Sequence, residues 1–326
     1  MFEMTQYQRH GIAFTSDIAL PSGSALPHFT EQAPAFAFRF QPDRAPSTSV
    51  SWNTALDAPA VHVGVCQGNE RLRIVFQDGC RFEMDAAGTE IDVHWTRPQT
   101  RKDAMAYALG SVFGLLLRFR GRVALHASAV RTHHGTVLLA APSGTGKSTL
   151  AAAFGRRGAS VLTDDLAVVT ETGSGFATYR GGSGVKLWPD TATAVLGPLA
   201  SGAAIAPHWP KHVYALPGSQ QADWFQPIPI SAIVLLVRPG PGSLRRVSPR
   251  PALERLAALL HPDIRIPVPN RYHVHAFPVL TRLSVSLPVL ELGVPDDLGE
   301  LDTPCEQLEA WLESHAPDNE SRPVPL

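Results

Sequence analysis

The sequence is poor in cysteine. Cys66, Cys80 and Cys305 are all it has in 326 residues. An odd, sparse set with no C-x-x-C spacing excludes a disulfide framework, and the thiols read as reduced. The 13 histidines form no H-E-x-x-H motif and no tight His/Cys cluster, which excludes a dedicated transition-metal site. Charge of one sign is lacking too. Lys and Arg total 28 against 29 Asp and Glu, a formal charge of −1. No global basic field therefore draws the chain to nucleic acid or to an anionic membrane, and neither is expected as a partner. Long apolar runs are missing. The longest, Ala104 to Leu117, falls short of the roughly 20 helical residues that cross a bilayer and reads as a buried helix. Met1 to Phe14 is polar and has no signal-peptide core. Together these absences point to the cytoplasm. No internal repeat is present.

What is there is enough apolar side chain, 44% of the residues, for a sizeable core. Short apolar or alternating runs predict strands at Ile12–Phe14, Ala35–Phe40 and Val61–Val65. Leu72, Ile74 and Phe76 alternate with Arg71, Arg73 and Val75, Asp78-Gly79 fits a hairpin turn, and Phe82 and Met84 continue the pattern. Residues 1–100 therefore read as an antiparallel β-rich unit. Asp103 is the expected cap of a helix from Ala104 to about Phe119. Residues 101–316 follow as an α/β unit, and 317–326 as a mobile tail. Strands are predicted at Val123–Val130, Thr136–Ala140, Ser160–Leu162, Leu166–Thr170 and Ile230–Val237, the last with a composition that suits burial on both faces. Helices are predicted at Lys147–Arg156, Pro251–Leu260 and Glu306–Glu313. Gly197–Gln221, rich in Gly, Ala, Pro and Ser, reads as a long surface loop.

Ala141-Pro-Ser-Gly-Thr-Gly-Lys147-Ser148 has P-loop spacing, with Ala in place of the first Gly. A predicted strand, Val137–Ala140, feeds it and a predicted helix leaves it. A helix N-terminus presents free backbone N–H groups and the positive end of the helix dipole to one point, which suits phosphate. Ser143, Gly144, Thr145, Gly146, Lys147, Ser148 and Thr149 are thus expected to bind ATP. Gly144 and Gly146 allow close backbone approach. Lys147 supplies charge to the β/γ-phosphates and the Ser148 hydroxyl ligates Mg²⁺.

Asp164-Asp165 ends a short predicted strand. One carboxylate could hold Mg²⁺ and the other take the proton of an attacking hydroxyl, or the pair could be a solvated turn. His126, within Ala124-Leu-His-Ala-Ser-Ala-Val130, could equally be a hydrogen-bonded core histidine.

Three segments together resemble the HPr kinase/phosphorylase family of bacterial protein-serine kinases: Leu125-His126-Ala127, the loop Ala141 to Ser148, and Arg157-Gly158-Ala-Ser-Val161-Leu162-Thr-Asp164-Asp165. The resemblance implies a phosphoenolpyruvate-carboxykinase-like P-loop core with a mixed, twisted sheet. It implies Asp164 as the base that activates the acceptor hydroxyl, Asp165 on the metal or phosphate side, and His126 positioning the phosphates, so that Asp164, Asp165, His126 and Lys147 are the catalytic set and Ser148 and Asp165 the metal set. The match covers about Gly121 to Thr170. Beyond it the wording differs: Gly181-Gly-Ser-Gly-Val-Lys186-Leu-Trp188-Pro189 stands where the family carries a glycine-rich signature, and Ile266–Arg271 only loosely matches its arginine segment. The layout, including Leu287-Pro-Val-Leu-Glu-Leu292, is closer to HPr-kinase-related proteins of peptide-modification gene clusters, some of which phosphorylate a serine of lasso-peptide precursors. Lys186 is accordingly a candidate for the phosphates or the substrate, and Arg271 for stabilising transferred charge.

The leading expectation is an ATP- and Mg²⁺-dependent kinase acting on a serine hydroxyl of a peptide or small protein. The alternatives are a P-loop NTPase and a nucleotide-sensing protein without an acceptor. The acidic pair comes only 17 residues after Lys147, close for an ordinary NTPase switch. Whether the chain forms a homo-oligomer is left open by the sequence.

Overall fold

The computed structural model describes residues 4–21, 26–27, 33–42, 52–58, 61–66, 71–85, 87–216, 224, 226–238, 240, 243–261 and 271–315, with backbone alone described at 26–27, 52–58, 61–66 and 271–274. The expected tail, 317–326, lies outside these residues, as do Ile266–Asn270 and the Arg271 side chain.

The first nine strands form one sheet. They are β1 (Thr5–Arg9), β2 (Ile12–Ser16), β3 (Leu26–Pro27), β4 (Ala37–Pro42), β5 (Trp52–Ala58), β6 (Val61–Cys66), β7 (Arg71–Phe76), β8 (Arg81–Asp85) and β9 (Glu90–Trp95), in the order β3-β1-β2-β4-β9-β8-β7-β6-β5. The sheet is not wholly antiparallel: β4 runs parallel to both β2 and β9. The Asp78-Gly79 turn forms, with Gly79 at φ 94° and its N–H donating to Phe76 O at 2.9 Å. Strict alternation on β7 and β8 buries Leu72, Ile74, Phe82 and Met84 on one face, as a period-2 pattern dictates.

That face is covered by a bent helix. It comprises α1 (Arg101–Tyr107), a π turn (Ala108–Val112) and α2 (Phe113–Phe119). The cap is Thr100, not Asp103: Asp103 is the third residue of a capping box, accepting from Thr100 N–H at 2.8 Å while its own N–H reaches Thr100 Oγ1 at 3.4 Å. Phe113 meets Phe14 and Phe36, each at a ring separation of 5.3 Å. The helix therefore shares one core with the β-rich unit.

The remaining chain continues as β10 (Val123–Leu125), β11 (Ala127–Thr132), β12 (Gly135–Ala140), α3 (Lys147–Arg156), β13 (Ser160–Thr163), β14 (Ala167–Thr172), β15 (Gly175–Thr178), β16 (Gly184–Leu187), α4 (Pro189–Leu196), β17 (Gly202–Ala204), β18 (His212–Ala215), β19 (Ile228–Pro229), β20 (Ala232–Val237), β21 (Leu244–Arg246), α5 (Pro249–Ala258), α6 (Arg271–Ser286), β22 (Val289–Gly293) and α7 (Asp302–Ser314). Its central sheet is mixed, in the order β13-β11-β12-β20-β22-β21. The strands β12, β20 and β22 are parallel, and β11, β13 and β21 antiparallel to their neighbours. Val137 and Leu139 pack on the α3 side, whereas Leu138 and Ala140 pack toward α5 and α6. Burial on both faces explains the continuous apolar wording of β12 and β20.

Two readings change. The run Val123–Val130 is two strands in two sheets, because at Leu125 and His126 the backbone turns to Leu260 and Leu259. The expected loop Gly197–Gln221 contains β17 and β18, of which β18 pairs with β16 and β17 with β18. Within the described residues no helix is long and apolar enough to cross a membrane.

Candidate functional site

The P-loop leaves the C-terminal end of β12 and enters α3. Gly144 and Gly146 sit at φ 84° and 103°, in the left-handed region that glycine tolerates best. Ser143 and Gly144 form the exposed tip. Thr145, Gly146 and Thr149 are half-buried, and Lys147 and Ser148 are buried. The Lys147 ammonium donates to Ala141 O at 2.9 Å and Pro142 O at 3.0 Å. It is folded over its own loop, held by carbonyl oxygens where phosphate oxygens would serve. Burial lowers its pKa, against the pull of Asp165 and Asp164.

Asp164 and Asp165 follow β13, whose end is tied by Thr163 Oγ1 donating to Leu166 O at 2.7 Å. Their environments differ. Asp164 is buried and accepts three hydrogen bonds. Ser128 Oγ donates to its Oδ1 at 2.6 Å, Ser148 Oγ to the same atom at 2.9 Å, and Lys186 N–H to Oδ2 at 2.9 Å. Burial first, then repulsion from Asp165, raises its pKa against those bonds. Asp165 adopts φ 69°, which turns its side chain the other way, toward the cleft. Its side chain is 31% exposed, with Oδ2 3.0 Å from Lys186 Nζ and Oδ1 4.0 Å from His126 Nε2. Burial pushes its pKa up, but Lys186 above all, with Lys211 and His126, holds it well below the usual carboxylate range. Of the two, it is the one whose ionised form its surroundings favour.

His126 sits at the switch between β10 and β11, with its N–H on Leu259 O at 2.8 Å. Burial, reinforced by Lys147, lowers its pKa to about 4, so the imidazole is neutral near pH 7. The structure thus brings Lys147, Ser148, Asp164, Asp165, His126 and Lys186 together at the mouth of the loop. Arg271 begins α6.

Sequence reasoning did not single out Ser128 or Lys211. Ser128 had a signal: two residues beyond His126 on a strand-like run, it shares that residue's face. Lys211 had none. It precedes β18, whose pairing with the Lys186 strand is tertiary, and its charge acts on His126, Lys147 and Asp165. Three lysines thus surround two carboxylates, an excess of positive charge that suits a polyanion.

The residues also fit a magnesium ion. Mg²⁺ is usually held by one or two protein oxygens, substrate phosphates and water. The Ser148 hydroxyl and the Asp164 carboxylate, side by side at the start of α3, supply that donor set. No group of three or more His, Cys, Asp or Glu suited to a metal occurs among the described residues.

No family model and no curated protein matches the chain. Among solved structures it is similar to an HPr(Ser) kinase/phosphatase from Coxiella burnetii, with 12% identity over 58% of this chain and 98% of that one, and a TM-score of 0.29. At that score the likeness adds no weight, and the reading of the site rests on its own geometry.

Proposed function

We propose that the chain is a phosphotransferase, on a phosphoenolpyruvate-carboxykinase-like P-loop core, that moves the γ-phosphate of ATP to a serine hydroxyl of a peptide or small protein. One observation carries this reading. Two adjacent carboxylates at the loop mouth have divided environments, one hydrogen-bonded to the P-loop serine and one ionised and open to the cleft. A pair of titratable groups pushed apart in this way is the usual basis for two chemical roles.

The contacts support roles exchanged between the two residues relative to those the family resemblance implies. Asp164 touches Ser148, so these two would hold Mg²⁺, which when bound supplies charge neutralisation for the triphosphate. Among the described residues no hydrogen bond links Asp165 to Ser148, so the metal set reads Ser148 and Asp164. Asp165 faces the side from which an acceptor enters and is the base. The serine oxygen attacks the γ-phosphorus, the bond to the β,γ-bridging oxygen breaks, and ADP leaves with that electron pair. The hydroxyl proton passes to Asp165. Lys147 leaves the Ala141 and Pro142 carbonyls for the β/γ-phosphates. Lys186 orients Asp165, and neutral His126 is an uncharged hydrogen-bonding group beside it. Catalysis on this reading is positioning and charge neutralisation.

The test is γ-labelled ATP with Mg²⁺ and an array of serine-containing peptides. Label on peptide serines that disappears in Lys147→Ala supports the proposal. Label released only as inorganic phosphate, at one rate with and without peptides, favours an NTPase and refutes it.

A further inference from the structure

The acidic pair flanks the loop on one side, and a further charged pair flanks it on the other. The central sheet runs β13-β11-β12-β20-β22-β21, with β12, β20 and β22 parallel. The C-terminal ends of these three strands open on one edge, the edge where an α/β sheet holds its ligand. The P-loop follows β12 there, Arg238 follows β20, and Asp296 lies shortly beyond β22. A Cβ built on Gly146 would lie 3.9 Å from Arg238 Nη1 and 3.8 Å from Val294 Cγ1. The guanidinium therefore sits against the last glycine of the loop, where α3 begins.

Asp296 sets its direction. Arg238 Nε donates to Asp296 Oδ1 at 2.6 Å and Nη2 to Asp296 O at 3.2 Å. Among the described residues none accepts from Nη1, the donor nearest the loop. The backbone beneath is fixed. Val294 N–H donates to Val237 O at 2.9 Å, and Gly240 N–H to Val294 O at 3.3 Å. A Cβ on Gly240 would meet Gly293 Cα at 2.4 Å, so the segments leaving β20 and β22 touch. The two side chains are 30% and 68% exposed, and an ion pair that open to water does little for the fold. A planar guanidinium held at two donors, with a third donor beside a glycine-rich loop, is instead suited to a phosphate oxygen. Sheet order says which phosphate. Asp164 and Asp165 follow β13, on one side of β12, and Arg238 follows β20, on the other. With the γ-phosphate at the acidic pair, the α-phosphate falls on the Arg238 side.

We propose that Arg238 is a nucleotide-binding residue that donates from Nη1 to the α-phosphate of ATP, and that Asp296 is the positioning residue that orients it. The proposal rests on the reading above for the place of the γ-phosphate. It adds no bond-making step.

The experiment uses the full chain. Calorimetry gives the Kd of Mg·ATP and Mg·ADP, γ-labelled ATP gives turnover at saturation, and thermal melting reports integrity. Arg238→Gln is expected to raise both Kd values alike, about tenfold, the scale of one charge-assisted hydrogen bond. Turnover at saturating ATP should stay within about threefold of wild type, because a contact kept from ground state to transition state is uniform binding. Melting should change little, since the pair is open to water. Unchanged Kd values for both nucleotides overturn the proposal. A loss confined to ATP, or slower turnover with Kd unchanged, puts Arg238 on the γ-phosphate and overturns it too. Asp296→Ala is expected to weaken Mg·ATP about threefold in the wild-type background and no further beside Arg238→Gln. An equal loss in both backgrounds overturns the positioning role. Failure of the kinase reading looks different: γ-label released only as inorganic phosphate, with the Arg238→Gln loss intact, removes the kinase and leaves the nucleotide contact standing. A wild-type chain that binds neither nucleotide removes both.

Discussion

Replacing Asp164 by asparagine separates a metal-side role from a structural one. The carboxylate accepts from Ser128, Ser148 and the Lys186 amide. An asparagine can keep its carbonyl on the Lys186 N–H and turn its amide to the two hydroxyls, which then accept. Charge-assisted bonds of about 1.5–3 kcal/mol become neutral ones of about 0.5–1.5. Against that loss stands the cost of burying the charge. The folded pKa of Asp164 is raised, so its contribution to stability is fully present below the unfolded value and is lost as pH rises through the folded one. Asparagine, which carries no charge, removes that burial cost. The two effects oppose, and Tm is expected to stay near wild type or rise. Mg²⁺-dependent ATP binding is expected to fall about 10- to 100-fold, as when a group supporting a metal site is lost, which corresponds to roughly 1.4–2.8 kcal/mol. Calorimetry of ATP binding with and without Mg²⁺, beside thermal melting, measures both. An unchanged Mg·ATP Kd together with a Tm several degrees lower would show that Asp164 serves only the fold, and the metal-side assignment would fail.

Asp165→Asn is expected to leave the Mg·ATP Kd nearly intact while slowing transfer about 10²- to 10⁴-fold, the usual worth of a general base; equal single-turnover rates in variant and wild type would return the base role to Asp164. Acid should destabilise the protein well before the carboxylates protonate. Burial holds His126 near 4, His261 near 3 and His10 well below 6.5, so the stability these groups contribute is present above the unfolded value near 6.5 and lost as pH falls. Below pH 6.5 the slope should approach about 1.4 kcal/mol per pH unit for each histidine, and a urea midpoint that does not move between pH 7 and pH 5 would contradict this. Gly181→Ala should push the His10 imidazole off its seat and lower Tm. Adding His10→Gly removes the clashing ring and should recover part of the lost Tm, the Cβ still crowding Thr163 Oγ1 at 2.5 Å, and a double variant as unstable as Gly181→Ala alone would show that the ring clash is not the cause.

The chemistry of the loop was legible because it is local. Strand, glycine-rich turn and helix occupy consecutive residues, and each signals itself by periodicity, left-handed glycines or a helix start. The acidic pair was legible for the same reason, as the end of a short strand. Strands β2, β4, β6, β7 and β8 followed from short apolar or alternating runs, whereas β1, β3, β5 and β9 went unread, and so did the parallel pairing of β4, because register between distant strands leaves no mark on either. Helix α6 went unread because Pro278 lies inside it and a proline signals a break. The strands β17 and β18 are three and four residues long, too short to show a period, and they exist because β16 offers an edge to β18 and β18 one to β17. Which aspartate meets Ser148 was likewise invisible: the two are adjacent in sequence and alike in type, and a single left-handed φ at Asp165 sends them to opposite sides. By itself the sequence determined that a glycine-rich loop joins a strand to a helix and which residues form it. Only the tertiary structure decided what faces it, since Ser128 and Lys186 meet the acidic pair through the packing of separate sheets, an arrangement set by burial across the whole chain rather than by any local run of residues.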